Sequence, residues 1–142
     1  MSMSPVSIPY HLLVPFIIGI SILVIVVLKR KVLFKQKYLK WFWTSFVVFI
    51  VVYLYFIGSA LFVDIYYQWH LNSFDLNKDG FFSGSEITPE QKEAMFRLTN
   101  DVGRNFSFLT SFIPAIFVSV IFYVVGSISE KLNSKQKGAN VA

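Results

Sequence analysis

The chain reads as an all-α membrane protein with three spanning helices. Three long apolar runs, and the way charge is distributed between them, carry that reading. Residues 8–28, 41–63 and 106–127 form runs that no Asp, Glu, Lys or Arg interrupts. A helix needs about 20 mostly apolar residues to cross a hydrocarbon layer about 30 Å thick. The composition agrees: of 142 residues, 55% are hydrophobic and 15% charged, with 16 Phe, 7 Tyr and 3 Trp. That is more apolar surface than a soluble domain of this size buries. The expected organisation is one membrane domain over 1–142, with an external segment at 64–105 between the second and third helices.

The first run contains Ile22, Leu23, Val24, Ile25, Val26 and Val27, residues that also suit a buried strand, but its uninterrupted length favours a helix. A cleaved signal peptide carries its positive charges ahead of the apolar stretch. Here Lys29, Arg30 and Lys31 follow it and no charged side chain precedes Ile8, so a retained anchor is expected.

The loop at 29–40 holds Lys29, Arg30, Lys31, Lys35, Lys37 and Lys40 with no acid. The tail has Lys131, Lys135 and Lys137 against Glu130, while 64–105 carries seven acids and four bases. Excess Lys and Arg in short loops marks the cytoplasmic side. The N-terminus and the 64–105 segment are therefore expected outside, and the first loop and C-terminus inside, in an inner or plasma membrane. Trp41 and Trp43 at one interface, and Tyr66, Tyr67 and Trp69 at the other, fit the aromatic belts. The net charge of +5 thus reads as orientation rather than nucleic-acid binding. The basic loop, with Val32, Leu33, Phe34, Tyr38 and Leu39 interleaved, is a topological anchor or a binding surface for anionic lipid.

The second helix is expected to continue past Asp64, with Tyr67, Leu71 and Phe74 as one apolar stripe and His70 beside it as an interfacial or packing side chain. Residues 75–86 then read Asp-Leu-Asn-Lys-Asp-Gly-Phe-Phe-Ser-Gly-Ser-Glu. Asp, Asn and Gly favour turns for their own reasons, but a turn does not demand the terminal Glu. This stretch resembles the calcium loop of the EF-hand superfamily, in which oxygen ligands come from positions 1, 3, 5, 7, 9 and 12 and a Gly at position 6 makes the bend. The resemblance implies a Ca²⁺ ion held by Asp75, Asn77, Asp79, the Phe81 carbonyl, Ser83 (directly or through water) and Glu86, with Gly80 at the bend. It covers the loop and about one turn on each side. EF-hands usually pair, yet 64–105 has room for one, so Phe82 at position 8 is expected to meet another polypeptide.

Beyond the loop, Thr88, Pro89 and Gln91 read as the N-cap, first turn and capping box of a new helix reaching about Asn100. Ala94, Met95 and Leu98 are expected to form its apolar stripe. In the third run, Ser107, Ser111, Ala115 and Ser119 recur every four residues, a spacing that lets helices approach closely, within the chain or between chains. Gly58, Ser59 and Ala60 are the expected counterpart surface. Pro114 should bend this helix, and residues after Asn133 read as a frayed tail.

The absence of Cys excludes disulfides, thiol catalysis and zinc-thiolate sites, and His11 and His70 are too far apart in sequence to suggest a histidine metal site. No ionisable residue sits mid-run, which disfavours a pump or proton-coupled transporter. Neither a nucleophile–base pair nor a phosphate-binding glycine loop is visible, so no enzyme and no small-molecule substrate is expected. The reading is a small calcium-binding membrane protein acting as a sensor or as an accessory or structural subunit. It would sit among membrane lipids, with other subunits or copies of itself. Alternatives are a homo-oligomeric channel gated or stabilised by Ca²⁺ and a calcium-dependent adhesion or assembly module.

Overall fold

A computed structural model describes residues 7–36 and 39–139. Lys37 and Tyr38 of the basic loop, and Asn140 of the tail, lie outside the described residues. Helix dominates, and no strand occurs among the described residues. In chain order the helices are α1 (Tyr10–Leu28), α2 (Arg30–Leu33), α3 (Lys40–Asn72), α4 (Pro89–Thr99), α5 (Val102–Asn105), α6 (Ser107–Thr110) and α7 (Phe112–Ala139), with a 3₁₀ turn at Gly84–Glu86. Three stretches are long and apolar enough to cross a membrane: Tyr10–Leu28, Lys40–Asn72 and Pro89–Ser134.

The helices turn most of their apolar surface outward. On α1, Ile17, Ile18, Val24, Ile25 and Val27 are each about half exposed, whereas Leu12 and Val26 are buried. A continuous apolar face of that kind is untenable in water and natural in lipid, where helices satisfy every backbone group internally.

Contacts group the chain into two units. One comprises Met1–Phe16 and Phe56–Thr110, the other Ile17–Tyr55 and Ser111–Ala142. In the second unit, α7 runs antiparallel to the first half of α3. Phe112 packs on Tyr53 with ring centroids 4.7 Å apart and on Phe49 at 5.9 Å. Two turns and more toward the start of α3, the Trp41 ring lies against Gly126, and its indole N–H donates to Glu130 Oε2 at 2.8 Å. A Cβ on Gly126 would overlap that ring. Gly126→Leu is therefore expected to destabilise the pair by roughly 1–3 kcal/mol, the usual cost of overpacking. The check is thermal unfolding in detergent, and an unchanged midpoint would remove this contact from the account.

In the first unit, Gly58 meets Phe16 of α1. That corrects the expectation that Gly58 offers its surface to the third helix. The stripe on the third helix is largely closed within the chain: Ser107, Ser111 and Ala115 are buried, and only Ser119 is half-buried.

The helix over the expected third span, 106–127, is not continuous. It is interrupted at Phe106 and Ser111 and then runs to Ala139. Pro114 has no N–H to give the Thr110 carbonyl, so the helical ladder breaks just before it, between α6 and α7. At the far end the expected frayed tail is helical. Residues 127–137 contain no Gly or Pro, and Glu130, Lys131, Leu132 and Gln136 favour helix.

Candidate metal centre

The segment that carries the loop begins on α3. This helix is continuous through Asp64 to Asn72, as expected, because no Gly or Pro follows Gly58 before the loop. Its inward stripe is Ile50, Tyr53, Ile57, Leu61, Asp64 and Leu71, at helical spacings. Leu71 is buried and Tyr67 and Phe74 are half-buried, so the stripe continues to the loop. His70 is exposed, stacked on Tyr66 and edge-on to Phe74, which is a packing role.

The loop is tight. Lys78 and Gly80 both adopt positive φ, 62° and 83°, a left-handed conformation that glycine reaches without strain and that reverses the chain sharply. Side chains of the acids then fill the turn. Asp75 accepts N–H bonds from Lys78 (2.7 Å) and Gly80 (3.0 Å). Asp79 accepts from Phe81 N–H (2.7 Å) and from the Asn77 amide (2.9 Å), and Asn77 Oδ1 accepts from Asp79 N–H.

Glu86 reaches back across the turn. Its Oε1 accepts from Leu76 and Asn77 N–H at 2.8 and 3.1 Å, and its Oε2 from Ser83 N–H at 3.0 Å. One carboxylate thus joins the start of the loop to its end. These backbone donors, Ser83 and Asn77 foremost, hold the Glu86 carboxyl below the usual glutamate range, so it stays ionised at neutral pH.

Asp75 and Glu86 are only 6% and 5% exposed, and neither forms an ion pair among the described residues. Residues 75–86 hold three carboxylates and one lysine, a net charge of −2. The carboxylates do not converge: among the described residues, no three His, Cys, Asp or Glu side chains stand close enough to hold a metal ion. Like charges separate, and each takes backbone N–H donors instead. The donor chemistry nevertheless suits a hard divalent cation, with carboxylate, amide, carbonyl and hydroxyl oxygens on one short turn.

Of the neighbouring apolar side chains, Phe81 is exposed and Phe82 half-buried. Past the loop, α4 starts where the cap residues place it: Thr88 Oγ1 accepts from Gln91 N–H at 3.2 Å and Pro89 occupies the first turn. Its inward face is Gln91, Ala94 and Leu98, while Met95 is 38% exposed. Met95 therefore leaves the expected stripe, because positions 91, 94 and 98 follow the helical period and 95 lies to one side.

Sequence reasoning missed what holds this segment to α3. Arg104 and Asp64 form a buried ion pair, Nε to Oδ1 at 2.9 Å, with side chains 3% and 6% exposed. The guanidinium also donates to the carbonyls of Arg97 and Leu98 and lies over the Tyr67 ring at 5.2 Å. It thereby satisfies carbonyls that the end of α4 leaves without helical partners. Gln68 donates to the other Asp64 oxygen at 3.0 Å, and Asp101 caps the Arg104 N–H at 2.9 Å. One clue was legible: Asp64 falls on the same helical stripe as Ile57 and Leu61, so it was bound for the interior and needed a partner.

No known protein family, no curated protein and no solved structure matches this chain.

Proposed function

We propose that this is a calcium-binding integral membrane protein whose ion site lies outside the cytoplasm, between the second and third spans. Asp75, Asn77, Asp79, the Phe81 carbonyl, Ser83 and Glu86 would hold the ion. The observation that carries this reading is the loop's unbalanced charge: two buried carboxylates that form no ion pair among the described residues, on a turn of hard oxygen donors with net charge −2. A bound Ca²⁺ would supply the compensating charge and an electrostatic tie across the turn. Such an ion stabilises the arrangement that binds it by mass action. It would fix the end of α3 relative to α4, as suits an accessory or structural subunit of a membrane assembly, and a regulatory version follows if calcium outside the cell varies near the dissociation constant.

Hydrogen exchange on the full chain in detergent tests the tie. Calcium is expected to slow exchange of the Asn77, Gly80 and Phe81 amides while leaving mid-span amides of α1 unchanged. Identical exchange with calcium and with chelator would contradict it.

The excess of Lys and Arg in the 29–40 loop and the tail supports placing the site outside. The chain has no Cys, so a single introduced thiol reports its side without background. Ser85→Cys in intact cells is expected to react with a membrane-impermeant maleimide added outside. Labelling only after the membrane is permeabilised would reverse the topology.

A further inference from the structure

Two ties join the segment after α3 back to it, and α4 lies between them. At one end Glu86 accepts from the Leu76 and Asn77 N–H groups across the loop. At the other, Arg104 pairs with Asp64 and donates to the Arg97 and Leu98 carbonyls at the end of α4. The backbone is bonded from each helix to the nearest loop carboxylate. Ser73 N–H donates to the His70 carbonyl, Phe74 to Leu71 and Asp75 to Asn72, so turns carry α3 on to Asp75. On the other side Thr88 N–H donates to the Glu86 carbonyl, and Thr88 caps α4. Only Ile87 and Thr88 separate Glu86 from that helix, and neither is a glycine. How Asp75 stands to Glu86 is therefore set by how α4 lies on α3.

We propose that Arg104 is a positioning residue for the calcium site. By fastening the far end of α4 to Asp64 it holds Glu86 in the loop and raises affinity for the ion. This deepens the calcium reading above and rests on it. Arg104 bonds none of the proposed ligands. Its effect must pass along α4, about 16 Å of helix. With the far end released, the Glu86 end is free to swing, and binding must then supply the ordering that the tie had supplied.

The pair suits that role. Its side chains are 3% and 6% exposed, so salt screens it little. A planar guanidinium engages a carboxylate and two carbonyls together, which a point charge does not. The Arg97–Glu93 pair is the contrast: it is 58% and 61% exposed and joins two residues of α4 to each other. Linkage also makes the coupling reciprocal. If release of Arg104 weakens calcium binding by some factor, bound calcium suppresses that release by the same factor. Couplings between distinct sites usually amount to about 5–150-fold.

Calcium dialysis and hydrogen exchange on the full-length protein in detergent test both directions. Arg104→Met, assayed well below its melting temperature, is expected to bind one ion per chain about fivefold more weakly or worse. Arg97→Met is the matched control and is expected to keep wild-type affinity. Each change removes one positive charge, which by itself favours a cation. A fall confined to Arg104→Met therefore reads the lost tie. In the wild type, calcium is expected to slow exchange of the Asn100 and Asn105 amides by a similar factor. These donate to the Phe96 and Asp101 carbonyls, beside the tie and away from the loop.

The exchange arm uses the wild type, so a misfolded variant cannot mimic its outcome. Wild-type affinity in Arg104→Met, even at reduced stoichiometry, would mean that the pair only stabilises the fold and would overturn the proposal. Calcium protection confined to the Asn77, Gly80 and Phe81 amides would overturn it likewise and leave the calcium site standing. A wild type that binds no calcium would instead refute the calcium reading, and the proposal with it.

Discussion

Glu86→Gln is expected to weaken calcium binding by orders of magnitude. The substitution removes one of three loop carboxylates and the two-oxygen grip that the last loop position offers a calcium ion. The structure adds a second reason. Both Glu86 oxygens are committed to backbone donors, Oε1 to Leu76 and Asn77 and Oε2 to Ser83. A glutamine in either orientation puts its NH₂ against one of those N–H groups, donor facing donor. The loop thus loses its own closure as well as a ligand. Lys78→Asn is the matched control. It leaves every proposed ligand in place, removes a positive charge, and puts at φ 62° a residue that tolerates the left-handed region. Its affinity is expected to equal or exceed that of the wild type. Equal affinities for wild type and Glu86→Gln by calorimetry would sink the ligand assignment.

Arg104→Met is expected to be the most destabilising single change outside the loop. It leaves Asp64 buried and without its cation, and breaking a buried pair by deleting one partner costs about 3–5 kcal/mol. It also strips the Arg97 and Leu98 carbonyls of their donor. Replacing both partners, Asp64→Leu with Arg104→Met, removes the stranded charge and is expected to recover most of the loss, since apolar substitutes for a buried pair are often nearly neutral. Thermal unfolding in detergent reads both. A single variant that melts with the wild type would mean that the pair does not hold this segment to α3.

What could be read from the chain was local. The three spans follow from composition over a window of about twenty residues. The start of α4 follows from Thr88, Pro89 and Gln91, because a cap is decided by residues three apart. The loop was legible for the same reason: Asp75, Asp79, Gly80 and Glu86 occupy one turn, and the structure closes that turn with Glu86 reaching Leu76 and Asn77. The convergence of its carboxylates on one ion was not delivered by the fold, where each acid turns to a backbone donor.

What was missed joins distant residues. Asp64 and Arg104 are forty positions apart, Trp41 and Glu130 eighty-nine, and no periodicity within either partner's helix names the other. Gly58 was assigned to the wrong neighbour because a small residue marks a close approach without saying which helix approaches. The tail after Asn133 was read as frayed because apolarity ends near Ser127, whereas helix propensity continues to the glycine at 138. Leaving the hydrocarbon and ending the helix are separate physical events.

Equilibrium dialysis of the full-length protein in detergent against radiolabelled calcium tests the central claim most directly. The prediction is saturation at one ion per chain, with a dissociation constant of about 10⁻⁴ to 10⁻³ M, the range of extracellular calcium modules, and loss of that binding in Glu86→Gln. No saturable calcium at several times that concentration, with the protein folded and helical, would contradict it.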